Sequence, residues 1–129
     1  MTAQLTVLVV EDEPVNRALL RAVLERSDTD RLRDCDIVEA VDLAEARGSL
    51  AARRFDVVIL DVRLPDGSGL TLARELAQRP GGTRQSVIVM SASVLPAERA
   101  EALDTGCDAF LAKPFQPSHL TDLLTRLTA

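Results

Sequence analysis

Five short apolar runs, each followed by a segment of helical period, restrict this chain to one class of architecture. The runs are 5–10 (LTVLVV), 36–40 (DIVEA), 57–60 (VVIL), 87–90 (VIVM) and 109–112 (AFLA). The first, third and fourth are nearly unbroken Val, Ile and Leu, as in parallel strands covered on both faces. The second alternates charged and apolar residues, which suits a sheet edge. Between the runs, Val15, Leu19 and Val23 fall on one helical face, and so do Leu43, Ala46 and Leu50. Leu70, Ala73 and Leu76–Ala77 make a third stripe, Pro96 to Asp104 a weaker fourth, and Leu120, Leu123, Leu124 and Leu127 the clearest. Pro14, Pro96 and Pro117 stand where a first helical residue belongs. Asp42 with Glu45 resembles a capping box, and Gly106 takes the position just past the fourth helix. Strand–helix alternation repeated five times predicts a doubly wound, five-stranded parallel α/β sheet with helices on both faces. The 129 residues predict one domain, 1–129.

Composition excludes several functions. Apolar residues are 47% and charged residues 27%, a globular balance. No apolar run approaches the roughly 18 residues of a membrane span. The opening Met-Thr-Ala-Gln-Leu has no secretory pattern, so a cytoplasmic location is expected. A net charge of −5 argues against direct binding to nucleic acid. Cys35 and Cys107 have no metal-ligand spacing, which predicts reduced thiols without chemistry. Of the fifteen basic residues fourteen are arginine; Lys113 is the single lysine. Its compact ammonium makes it a candidate for a role that a broad guanidinium fork cannot fill. Chance survival in an arginine-rich chain is the alternative.

In open α/β sheets, ligands bind outside the carboxyl ends of the strands. The first run ends in Glu11–Asp12, the third in Asp61, the fourth in Ser91 and the fifth in Lys113–Pro114. Taken singly, Asp61 is as easily a strand-end turn residue, Ser91 a turn hydroxyl, and Glu11–Asp12 a helix N-terminal charge. Together they place carboxylates, an ammonium and a hydroxyl on one rim. Carboxylates so gathered call for a cation, and an all-oxygen donor set suits Mg²⁺. Such a site is built to hold a phosphoryl group. His119, in the first turn of the last helix, is expected on the surface.

The segments VLVVEDEPVNR (7–17), FDVVILDVRLPDGSGL (55–70), VIVMSA (87–92) and GCDAFLAKPF (106–115), in this order, closely resemble the receiver domain of two-component response regulators. The resemblance covers nearly the whole chain. It implies a flavodoxin-like sheet of strand order 2-1-3-4-5. It implies that Asp61 is the phosphoacceptor, supplied by a phosphohistidine on a histidine kinase or histidine phosphotransfer protein. Asp12, Asp61 and the backbone carbonyl of Arg63 would bind Mg²⁺, with Glu11 acting through a water. Ser91 and Lys113 would contact the phosphoryl oxygens, and Lys113–Pro114 would be a cis peptide. Phe110 matches the family's aromatic switch position; as a residue of the fifth run it is equally explained as core. The output would be a changed face on the fourth helix, fifth strand and last helix, offered to a downstream protein, an output domain or a second copy.

Some stretches depart from the family pattern. Asp28–Asp34 (DTDRLRD) is longer and more charged than the usual connection, and extends the first helix or forms a partner-specific loop. Gly81–Gly82 suggests an enlarged loop before the fourth strand. No output motif follows, so a free-standing regulator and a receiver cut from a longer hybrid kinase or multidomain regulator both fit. An aspartyl phosphohydrolase would want a second acid where Arg63 stands. A flavin or nucleotide carrier would want a phosphate loop where Glu11–Asp12–Glu13 repel one. A receiver working without phosphate is disfavoured, since every acceptor-site position is filled. The expectation is a phosphoacceptor module and not an enzyme with turnover on external substrates.

Overall fold

The computed structural model describes residues 4–79, 85–93 and 95–128. The five runs form strands β1 (Thr6–Val10), β2 (Asp36–Ala40), β3 (Val57–Asp61), β6 (Ser86–Ser91) and β7 (Ala109–Ala112). They pair in the order β2-β1-β3-β6-β7, every pair parallel, which is the expected 2-1-3-4-5 with β2 at an edge. The helices are α1 (Pro14–Glu25), α2 (Asp30–Arg33), α3 (Leu43–Ala52), α4 (Gly69–Ala77), α5 (Pro96–Asp104) and α6 (Pro117–Leu127). Two two-residue strands, β4 (Arg63–Leu64) and β5 (Gly67–Ser68), pair as an antiparallel hairpin just after Asp61. Strands this short leave no periodic trace in a sequence.

Strand alternation divides the apolar residues into two cores. Leu8, Val10, Val58, Leu60, Val87 and Val89 face the side closed by α3, α4 and Ala102 of α5. Val7, Val9, Val57, Ile59, Ile88 and Met90 face α1, Leu32 of α2, and α6. Each fully buried Val or Leu contributes about 1.5–3 kcal/mol. Along β7, Ala109 and Leu111 join the α1/α6 core while Phe110 packs against the other.

Two expectations need correcting. In α1 the buried residues are Leu20, Val23 and Leu24, and Val15 and Leu19 are exposed. Apolar side chains at 15, 18, 19, 20, 22, 23 and 24 fit two stripes, and the sheet selects the one led by Leu20. The stretch 28–34 does not extend α1, which ends at Glu25; it forms the single turn α2, pinned by the buried Leu32 and by Arg31 donating to the Thr128 carbonyl. Gly81–Gly82 lies outside the described residues.

Helix ends follow the punctuation. Proline opens α1, α5 and α6. The Asp42 carboxylate accepts the Glu45 N–H at 2.8 Å, and Glu45 reaches back to the Val41 N–H at 3.1 Å. Gly106 follows α5 with φ +87°, where an L side chain is strained. Among the described residues no helix is long and apolar enough to cross a membrane.

Candidate functional site

Strand polarity brings the rim together. Glu11 follows β1, and its N–H donates to the Ala40 carbonyl at 3.0 Å. Asp61 is the last residue of β3, Ser91 the last of β6, and Lys113 follows β7 with its N–H on the Ser91 carbonyl at 2.8 Å. The Lys113–Pro114 peptide is cis.

Lys113 Nζ is the bridge. It donates to Glu11 Oε1 at 2.6 Å and to Asp61 Oδ2 at 2.9 Å. Glu11 is fully buried and Asp61 nearly so; carboxylates in that position need an ammonium or another cation beside them. Burial alone would lower the Lys113 pKa, but the hydrogen bonds and charges of Glu11 and Asp61 outweigh it, and the ammonium titrates above the ordinary lysine value. Carboxylate oxygens of Glu11, Asp12 and Asp61 all lie within 4.8 Å of one another. Three formal negative charges against one ammonium leave two uncompensated, which a divalent cation would cancel. The donors are oxygens only, as a hard ion prefers.

Residues that carry no rim chemistry hold this geometry. Arg17 Nη1 donates to the carbonyls of both Glu11 and Asp12 at 3.0 Å, while its Nε lies 3.3 Å from Glu39 Oε1 on β2. The guanidinium fork therefore ties the acidic loop to α1 and the sheet edge. Asp66, at the tip of the β4–β5 hairpin, accepts the Leu43 and Ala44 N–H groups at 2.9 and 3.1 Å and so caps α3. Those two backbone bonds, Leu43 first, hold its carboxyl below the usual aspartate value. Neither role was legible: Arg17 is one arginine among fourteen, and Asp66 acts across 22–23 residues of chain.

The other expected residues sit around this centre. Arg63 opens β4, its N–H 3.4 Å from Asp61 Oδ1. Ser91 Oγ is turned to α5, donating to Glu98 Oε1 at 3.2 Å and accepting the Ser93 N–H at 3.0 Å. Phe110 is half-buried with the Arg99 guanidinium 5.6 Å from its ring centre. His119 is exposed, as expected, and Cys35 and Cys107 are half-buried free thiols, both pushed up in pKa by burial. A cleft of about 200 Å³ opens beside Lys113, lined by Asn16, Leu19, Pro114 and Phe115 among others.

Residues 7–125 match the family model of the response regulator receiver domain. Over 109 residues the chain is 40% identical to the KDP operon transcriptional regulatory protein KdpE of Escherichia coli, covering 84% of this chain and 44% of that protein. It is 30% identical over 127 residues to the signal transduction histidine-protein kinase BarA of Escherichia coli, covering 95% of this chain and 13% of the kinase. The chain thus spans less than half the length of these relatives. Among solved structures it resembles the receiver domain of sensor histidine kinase PA1611 from Pseudomonas aeruginosa, which has a magnesium ion coordinated in its active site cleft, with TM-score 0.81, 30% identity and coverage of 98% and 100%. The chemotaxis response regulator CheY4 of Vibrio cholerae shares the fold, with TM-score 0.82, 24% identity and coverage of 97% and 99%.

Proposed function

Since the chain belongs to the response regulator receiver domain family, we propose that it is a phosphorylation-switched binding module whose acceptor is Asp61. Its donor is a phosphohistidine on a histidine kinase or histidine phosphotransfer protein. The observation that carries this reading is the placement of Lys113 Nζ, 2.9 Å from Asp61 Oδ2 and 2.6 Å from Glu11 Oε1. It pre-sets a positive charge beside the carboxylate that must attack.

Asp12, Asp61 and the Arg63 carbonyl would hold Mg²⁺, with Glu11 reaching it through a water; bound there, the ion neutralises the charge of the incoming phosphoryl oxygens. The receiver of PA1611 holds magnesium in its cleft, and the donor set Glu11, Asp12 and Asp61 fits the same ion. Lys113 fixes Asp61 Oδ2, so Oδ1 is the oxygen that meets phosphorus. The new Oδ1–P bond forms as the P–N bond of the phosphohistidine breaks and the imidazole leaves. Little covalent chemistry is asked of the protein beyond position and charge. Lys113 then follows the transferred oxygens. Ser91, at the end of β6, donates to one of them once it turns from Glu98, and Phe110 fills the space it vacates. The face of α5, β7 and α6 changes with them and meets a downstream protein, an output domain or a second copy.

The test is intact-mass measurement after incubation with acetyl phosphate. One phosphoryl addition is expected with Mg²⁺, none without it and none in Asp61→Asn. Undiminished labelling of the Asn variant would overturn the acceptor assignment.

A further inference from the structure

The Ser91 hydroxyl has one proton, and it is committed. Oγ donates to Glu98 Oε1 at 3.2 Å while accepting the Ser93 N–H at 3.0 Å, in a residue only 3% exposed. A hydroxyl offers a single donor. It serves Glu98 or a phosphoryl oxygen on Asp61, never both at once. The next residue along, Arg99, lays its guanidinium over the Phe110 ring. One turn of α5 therefore grips both side chains on which the proposed switch depends.

The geometry points to Glu98 as a positioning residue that holds Ser91 in its unphosphorylated orientation, with Arg99 holding Phe110 from the same turn. This inference rests on the phosphoacceptor reading above and adds to it the element against which phosphorylation works. A bond to a carboxylate is charge-assisted, as is the bond to a phosphoryl oxygen that replaces it. The exchange is like for like, so Glu98 sets the balance between the two states without blocking either. Glu98 is the third residue of α5, whose N-cap Leu95 supplies no side-chain cap. A negative charge there interacts favourably with the helix N-terminus, so Glu98 remains well placed after Ser91 leaves. That makes the release reversible. The contact exists in one state only, which is what a shift of population requires.

A double-mutant cycle on the full chain tests it. The readout is the beryllofluoride concentration giving half of the amide NMR response of residues 61–64, beside the site itself, in Mg²⁺, for wild type, Glu98→Ala, Ser91→Ala and the double variant. Glu98→Ala should tighten beryllofluoride roughly tenfold when Ser91 is present, and leave the value unchanged when Ser91 is Ala. Glu98→Gln, which keeps the helix-facing shape and a neutral acceptor, should fall between. If Glu98→Ala acts equally in both backgrounds, its role is structural support of α5 and the inference is overturned. No effect in either background overturns it too. Intact mass with acetyl phosphate separates this from the underlying reading: addition to Asp61 with unmoved affinities removes only the role of Glu98. Absence of addition in wild type removes the acceptor and the role together.

Discussion

The α-carbon of Gly69 rests against the main chain of Asp61 so closely that a Cβ there would lie 2.0 Å from the Asp61 carbonyl oxygen. The Gly69 N–H donates to the Val62 carbonyl at 2.7 Å, so the hairpin that leaves Asp61 folds straight back onto it. Ala at 69 must displace one of the two segments. Gly69→Ala should cost at least the order of 1–3 kcal/mol of overpacking, and it should slow labelling of Asp61. Gly48→Ala is the control, because a Cβ there meets nothing within 4 Å; in the interior of α3 it should stabilise by up to about 1 kcal/mol. Urea midpoints and labelling rates of both variants check this. A Gly69→Ala chain as stable as wild type would show that the backbone yields freely.

The lone lysine gives a second expectation. Lys113 makes two short bonds to two carboxylates from one small ammonium, a geometry that a broad planar guanidinium fork does not reproduce. Lys113→Arg should keep the charge yet lower the phosphorylation-dependent NMR response of residues 109–127. A response equal to wild type would mean that charge alone suffices.

Acid should loosen α3 through Asp66. Its carboxyl is held below the usual value by the Leu43 and Ala44 N–H groups. A depressed folded pKa means that the cap is complete above the unfolded value of about 3.9 and is lost as pH falls through the lower folded value. The amide shifts of Leu43 and Ala44 should therefore titrate together below about pH 3.9, and Asp66→Asn should abolish that titration. A midpoint above 3.9 would contradict the capping role.

Ser91→Ala should still accept a phosphoryl group on Asp61, more slowly, and respond weakly at α5, β7 and α6. Without the hydroxyl neither the bond to Glu98 nor the bond to a phosphoryl oxygen forms, so phosphorylation has no contact to exchange at the end of β6. Amide shifts of 95–127 with and without beryllofluoride report it. A response as large as wild type would put the coupling in Lys113 or in the loop after Asp61.

The rim was legible because a parallel sheet sends every strand's last residue to the same end. Once the five runs were recognised, Glu11, Asp12, Asp61, Ser91 and Lys113 had nowhere else to go. What the sequence hid depends on contacts between separate elements. Val15 and Leu19 satisfy helical spacing as well as Leu20 and Leu24 do, and only packing on the sheet decides between them. Arg17, Asp66 and Gly69 support the site through backbone atoms, which have no sequence signature. Glu98 and Arg99 carry no signal in the sequence until the partners Ser91 and Phe110 are placed beside them.

The bond between Lys113 and Glu11 spans 102 residues, and that to Asp61 spans 52. During synthesis the carboxylates of β1 and β3 leave the ribosome long before their counter-charge, which follows the last strand. A chain that stops before β7 lacks the ammonium that bridges Glu11 and Asp61. The charge arrangement of the rim is therefore complete only when the sheet is complete.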